Sequence, residues 1–69
     1  MVITGQAMVK VGDKIRIIHL TDEPYNSNYE GVEGKVTKIE IDPWGKERMA
    51  GTWGGIYVYL VEDDYEIID

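Results

Sequence analysis

A nucleophile and its base would have to come from Ser27 and His19, the one serine and the one histidine of a chain that has no cysteine. Ser27 stands between Asn26 and Asn28, where the ordinary work of a hydroxyl is a turn hydrogen bond. His19 interrupts an apolar strand pattern. Nucleophilic catalysis also needs a group to orient the base and an oxyanion site, and no residue type here supplies them at a readable spacing. His19 with Asp22 and Glu23 matches metal-ligand types, but carboxylates in a loop are ordinarily just solvated. The expectation is therefore a protein that is not an enzyme, with no catalytic residue, no metal and no cofactor.

The remaining chemistry lies in carboxylates and rings. Nine of the thirteen acidic residues fall in two runs: Asp22, Glu23, Glu30 and Glu33 with no base between them, then Glu62, Asp63, Asp64, Glu66 and Asp69. The same runs carry Tyr25, Tyr29 and Tyr65. Rings framed by carboxylates suit arginine or lysine side chains, by charge pairing at the rim and cation–π contact at the faces. Asp22, Glu23, Tyr25, Tyr29, Glu30, Glu62, Asp63, Asp64 and Tyr65 are thus the expected partner-binding rim. The plainer reading is that the tyrosines cover a small core and the acids keep the protein soluble.

A second constellation has the opposite sign. Lys35, Lys38, Lys46 and Arg48 gather on one hairpin around Trp44, against Glu40, Asp42 and Glu47. It would serve as a nucleic-acid face, with Trp44 stacking on a base. The net charge of −6 disfavours a phosphate backbone as ligand and favours a basic partner. Trp44, between Pro43 and Gly45 at a hairpin tip, is hard to bury. Trp53 is read as core.

The elements that must position these groups are strands. At 69 residues the chain makes one domain with a thin core, which no disulfide can staple. No window keeps a helical apolar period. Lys14 to Leu20 reads as a strand whose Ile15 and Ile17 share one face and Ile18 and Leu20 the other, so either both faces are covered or a bulge switches them. Thr21 to Glu33 reads as a long loop. Gly34 to Asp42 and Glu47 to Trp53 read as a hairpin turned by Asp42-Pro43-Trp44-Gly45. Gly54-Gly55 reads as the next hairpin turn, followed by strands at Ile56 to Val61 and Tyr65 to Ile68. These describe an all-β, five-stranded small barrel or half-open roll over 9–69, with 1–8 as an N-terminal extension or edge strand. In an SH3-like barrel the long loop and the turn before the last strand lie side by side, which would merge the two acidic runs.

Gly31-Val32-Glu33-Gly34-Lys35-Val36-Thr37-Lys38-Ile39 resembles the turn-and-strand signature of SH3-like and KOW-type small barrels. Preceded by Val11-Gly12-Asp13-Lys14-Ile15-Arg16 and followed by Gly51-Thr52-Trp53-Gly54-Gly55 and Glu62-Asp63-Asp64-Tyr65-Glu66-Ile67-Ile68, it is similar to a family of uncharacterised proteins of phages and conjugative elements of Gram-positive bacteria. The resemblance implies the fold and no catalytic residues. The chain departs from that family pattern at Asp42 to Met49 and at Tyr57 to Leu60, and a partner-specific surface is expected there.

The function expected from these residues is that of a cytoplasmic protein-binding module of a mobile element, monomeric or a small homo-oligomer, without membrane segments. Its acidic aromatic rim would engage a basic protein surface. In the sharper form of this reading the carboxylates imitate a phosphate backbone and block a host defence nuclease, as an anti-CRISPR protein does. The alternatives are a KOW-type accessory module that binds nucleic acid through the basic hairpin, and a structural subunit of a larger assembly.

Overall fold

The computed structural model describes residues 9–22 and 25–68. The extension or edge strand expected over 1–8, the rim residue Glu23 and the terminal Asp69 lie outside them. The described chain is a five-stranded antiparallel SH3-like roll with strands β1 (Lys14–His19), β2 (Glu33–Ile41), β3 (Glu47–Gly51), β4 (Gly54–Tyr59) and β5 (Asp64–Ile67), in the sheet order β4-β3-β2-β1-β5. β4 and β5 end the order without pairing to each other, so the roll is half-open.

Two irregularities bend this sheet around its core. Opposite β5, Ile17 pairs with Tyr65 and His19 with Asp64, which leaves Ile18 as an extra residue. The extra residue shifts the two-residue period, so Ile15 and Ile17 point inward, Ile18 faces solvent and Leu20 returns to the core. The bulge is thus the one of the two readings of Lys14 to Leu20 that the fold uses. On β2 the same device recurs, with Val36 opposite Gly51 and Lys38 opposite Ala50. β2 therefore pairs its first half with β1, from Arg16↔Glu33 to Lys14↔Lys35, and its second half with β3. Ile15, Ile17, Val36, Met49 and Val58 fill the space between the halves, and Trp53, Tyr65, Leu20 and Val9 close over them.

The turns differ more than the strands from the sequence expectation. The β3–β4 connection is Thr52-Trp53, not Gly54-Gly55, which opens β4. The reason lies in Trp53: its indole enters the core and its Nε1 donates to the Ile56 carbonyl at 3.0 Å, so the chain must reverse there. Gly54 has φ 151°, and a Cβ on it would meet the Tyr29 ring at 2.7 Å. The glycine therefore gives Tyr29 its seat.

Tyr29 ends a one-turn helix, α1 (Tyr25–Tyr29), inside the long loop that was expected to lack regular structure. Five residues are too few to show a helical period and too few to be stable alone. Local bonds hold the turn: Asn26 N–H donates to the Asp22 carbonyl at 2.9 Å, and the Asn26 side-chain oxygen accepts from Leu20 N–H at 2.9 Å. Among the described residues no helix is long and apolar enough to cross a membrane.

The β2–β3 turn falls where the sequence put it. Asp42 Oδ1 accepts from the backbone N–H of Trp44 at 2.9 Å and of Lys46 at 2.8 Å, while Gly45 takes φ 88°. The bond from Lys46 N–H above all, with those from Trp44 N–H and the Tyr59 hydroxyl, holds the Asp42 carboxyl below its ordinary range against the opposing effect of burial. A carboxyl with a depressed folded-state pKa adds stability that is complete above its unfolded pKa and is lost as pH falls toward the folded one. Urea midpoints are therefore expected to fall as pH drops below about 4, and Asp42→Asn should flatten that part of the profile while lowering stability at neutral pH.

Candidate binding groove

The long loop and the β4–β5 turn do meet, and they meet through Asp63. Its Oδ1 accepts from Thr21 N–H at 3.0 Å and from Thr21 Oγ1 at 3.2 Å, and its Oδ2 accepts from Tyr59 N–H at 2.8 Å. Asp63 is only 6% exposed, so this carboxylate belongs to the seam between β4 and β5 and is not presented on a rim.

The contact brings together the walls of two shallow cavities. The first, of about 230 Å³, is lined by Leu20, Asp22, Tyr25, Ile56, Tyr57 and Tyr59, together with Gly55 and Asp63. The second, of about 380 Å³, lies among Thr21, Asp22, Asp42, Trp44, Lys46, Tyr59 and Glu62. Asp22 and Tyr59 line both, so the two cavities are adjacent and together are treated as one groove. Pockets for whole small molecules run from about 300 to 1,000 Å³ and enclose most of the ligand. The first volume falls below that range and the second in its lowest part, and both cavities are open to solvent, which suits single side chains of a larger partner.

Four elements position the groove. β4 contributes through its two-residue period: Val58 points into the core, so Tyr57 and Tyr59 point out. Tyr57 is held under the Arg48 guanidinium, 3.8 Å from the ring centroid. Arg48 is held in turn by Glu40, with Nε 2.7 Å from Oε2. The β2–β3 tip contributes Trp44, which is 81% exposed. The long loop contributes Asp22 and the half-exposed Tyr25, and the β4–β5 turn contributes Glu62.

The expected rim is assembled only in part. Asp22, Tyr25 and Glu62 share the groove, and the buried Asp63 lines its first cavity. Tyr65 is in the core, and Tyr29 packs between that core and Gly54. Glu30 and Asp64 are exposed and line neither cavity. Glu33 and Glu66, in the acidic runs, flank Arg16 on the outer face of the sheet; Glu33 Oε2 is 2.8 Å from its Nη2 and Glu66 bonds its Nη1. The acids without an ion pair among the described residues are fewer than the sequence suggests.

The basic constellation is paired more fully. Lys38 lies 3.0 Å from Glu40, Arg48 is held by Glu40, and Lys46 Nζ lies 3.6 Å from Glu62. Of its four cations only Lys35 is without an ion pair among the described residues. The hairpin thus does not form an open basic face. The glutamates at β2 and the β4–β5 turn neutralise it.

Tyr57, Tyr59 and Asp42 are groove residues that the rim assignment missed. The signal for the tyrosines was available in the alternation Ile56-Tyr57-Val58-Tyr59, where one inward valine sends both rings outward. Asp42, Trp44 and Lys46 from residues 42–49, and Tyr57 and Tyr59 from residues 57–60, line the groove. Among the described residues no group of three or more histidines and carboxylates is placed to hold a metal ion. Comparison with family models, curated proteins and solved structures finds no match to the chain.

Proposed function

We propose that the protein is a non-catalytic binding module of a mobile element that engages a basic protein surface through this acidic, aromatic groove. The observation that carries the reading is the convergence of Asp22, Asp42 and Glu62 with Trp44 and Tyr59 on one cavity of a protein with a net charge of −6. A large ring left 81% exposed at a hairpin tip is the kind of anchor that interfaces use. Carboxylates around it select a cation and steer its approach.

The sharper version, imitation of a phosphate backbone toward a nuclease, receives less support than recognition of individual side chains. Phosphate mimicry needs a row of free charges, and Arg16 and Lys46 already pair Glu33, Glu66 and Glu62. The nucleic-acid reading is disfavoured on the same ground, since the phosphates would have to displace Glu40 from Lys38 and Arg48.

The test is affinity capture of the tagged protein from lysate of its source cells, with nuclease treatment, beside Asp22→Lys and Trp44→Ala variants. A nuclease-resistant partner retained by the parent protein and lost by both variants is the expected result. Retention by both variants would overturn the assignment to the groove. Loss of the captured material on nuclease treatment would transfer the function to the basic hairpin.

A further inference from the structure

Resting on that reading, we propose that the groove binds an extended peptide segment carrying one apolar side chain and one arginine, and that Lys46 occupies the place the arginine takes. The two halves of the groove have different chemistry. The first is walled by Leu20, Ile56 and the rings of Tyr25 and Tyr57, with two carboxylates, of which Asp63 is buried and bonded to Thr21 and Tyr59 and Asp22 is the exposed one. An aliphatic side chain fits there. The second holds Asp22, Asp42 and Glu62 beside two rings, and its one cation is the protein's own Lys46.

Lys46 is a loose occupant. Its ammonium stands 3.6 Å from Glu62, longer than a charge-assisted hydrogen bond, and its side chain remains 55% exposed. Pairs of that kind contribute little stability, so displacing one costs little. A guanidinium is the better occupant: it is planar, stacks on Tyr and Trp faces, and presents a fork of donors to carboxylates, whereas an ammonium is a strongly hydrated point charge. Asp42 is only 5% exposed and its Oδ1 accepts from the backbone of its own turn, so it lends the cavity its charge while the exposed Asp22 and Glu62 are the accessible acceptors. Because Asp22 and Tyr59 are common to both halves, one short segment can fill both at once.

The experiment titrates acetylated, amidated peptides containing one leucine and one arginine, separated by one, two or three alanines, into the intact protein. Trp44 fluorescence and backbone amide shifts report binding. One spacing is expected to bind best, with shifts at Asp22, Trp44, Tyr57, Tyr59 and Glu62. Replacing its arginine with citrulline, neutral and of nearly the same shape, should weaken binding at least tenfold. Replacing that arginine with lysine should weaken it several-fold, and Lys46→Met should strengthen the arginine peptide several-fold. Equal binding of the citrulline peptide, shifts centred on Lys35 and the outer sheet face, or no effect of Lys46→Met would each overturn the inference. If no peptide binds while capture of a protein partner still depends on Asp22, this inference fails and the proposed function stands. If neither depends on Asp22, both fail.

Discussion

Trp53→Ala is expected to leave the protein largely unfolded at room temperature, whereas Trp44→Ala should leave its stability within about 0.5 kcal/mol of the parent. The two tryptophans stand nine positions apart on the same hairpin region, but Trp53 is 6% exposed and Trp44 is 81% exposed. Emptying a buried tryptophan site costs about 3–5 kcal/mol. A chain of this length has a total stability of about 3–10 kcal/mol, so the loss is comparable with the whole. Gly51→Ala should act through the same contact, because a methyl group there would overlap the Trp53 ring and the Lys35 carbonyl. Urea unfolding followed by far-ultraviolet circular dichroism separates the cases. A stably folded Trp53→Ala protein would mean that the core does not depend on the indole. A strongly destabilised Trp44→Ala protein would mean that the exposed ring is structural, which would remove the anchor from the groove.

That contrast was legible in the sequence, and its origin is local. Pro43 and Gly45 fix a tight turn that keeps Trp44 away from any core, while Trp53 sits where alternating strands converge. The strand set was legible for the same reason: Ile15, Ile17, Val36, Met49 and Val58 are apolar at positions a two-residue period can reach. The bulge at Ile18 was legible as an alternative, since only covering both faces or shifting the period accommodates Ile18 beside Leu20. What the sequence did not reveal were features decided by long-range contact. The helix α1, held by local bonds, is docked on the fold where Tyr29 lies against Gly54, 25 positions along the chain. The β3–β4 turn moves to Thr52-Trp53 because the indole must reach the core. The two acidic runs lose free charge because Arg16, on β1, stands between β2 and β5 and takes a glutamate from each neighbour. Charge counted along a chain cannot anticipate that pairing, since it is made across strands.

Asp63 is the sharpest instance, and it carries the second large effect. In the run Glu62-Asp63-Asp64 the three residues are chemically alike, but only Asp63 is buried. Asp63→Ala is expected to cost about 2–4 kcal/mol, because it leaves the Tyr59 and Thr21 donors without their acceptor at a part-buried seam. Asp63→Asn should also destabilise: one oxygen can still accept from Thr21, but the amide then meets Tyr59 N–H with a donor. Asp64→Asn and Glu62→Gln, on exposed residues, should change stability by no more than about 0.5 kcal/mol. Charge reversal at Asp63 is therefore an uninformative test of binding, since loss of partner would follow from loss of the seam. Reversal at Asp22, which is exposed, tests the groove itself. Asp63 also joins Thr21, the residue before Asp22, to Tyr59, so its loss should loosen the groove as well as the fold. Hydrogen exchange would read this directly, with faster exchange expected at the Thr21 and Tyr59 amides in Asp63→Asn under conditions where the β1–β2 amides remain protected. If Asp63→Ala matches the parent in urea midpoint, the seam is held by the strands alone, and Asp63 returns to the set of acids available to a partner.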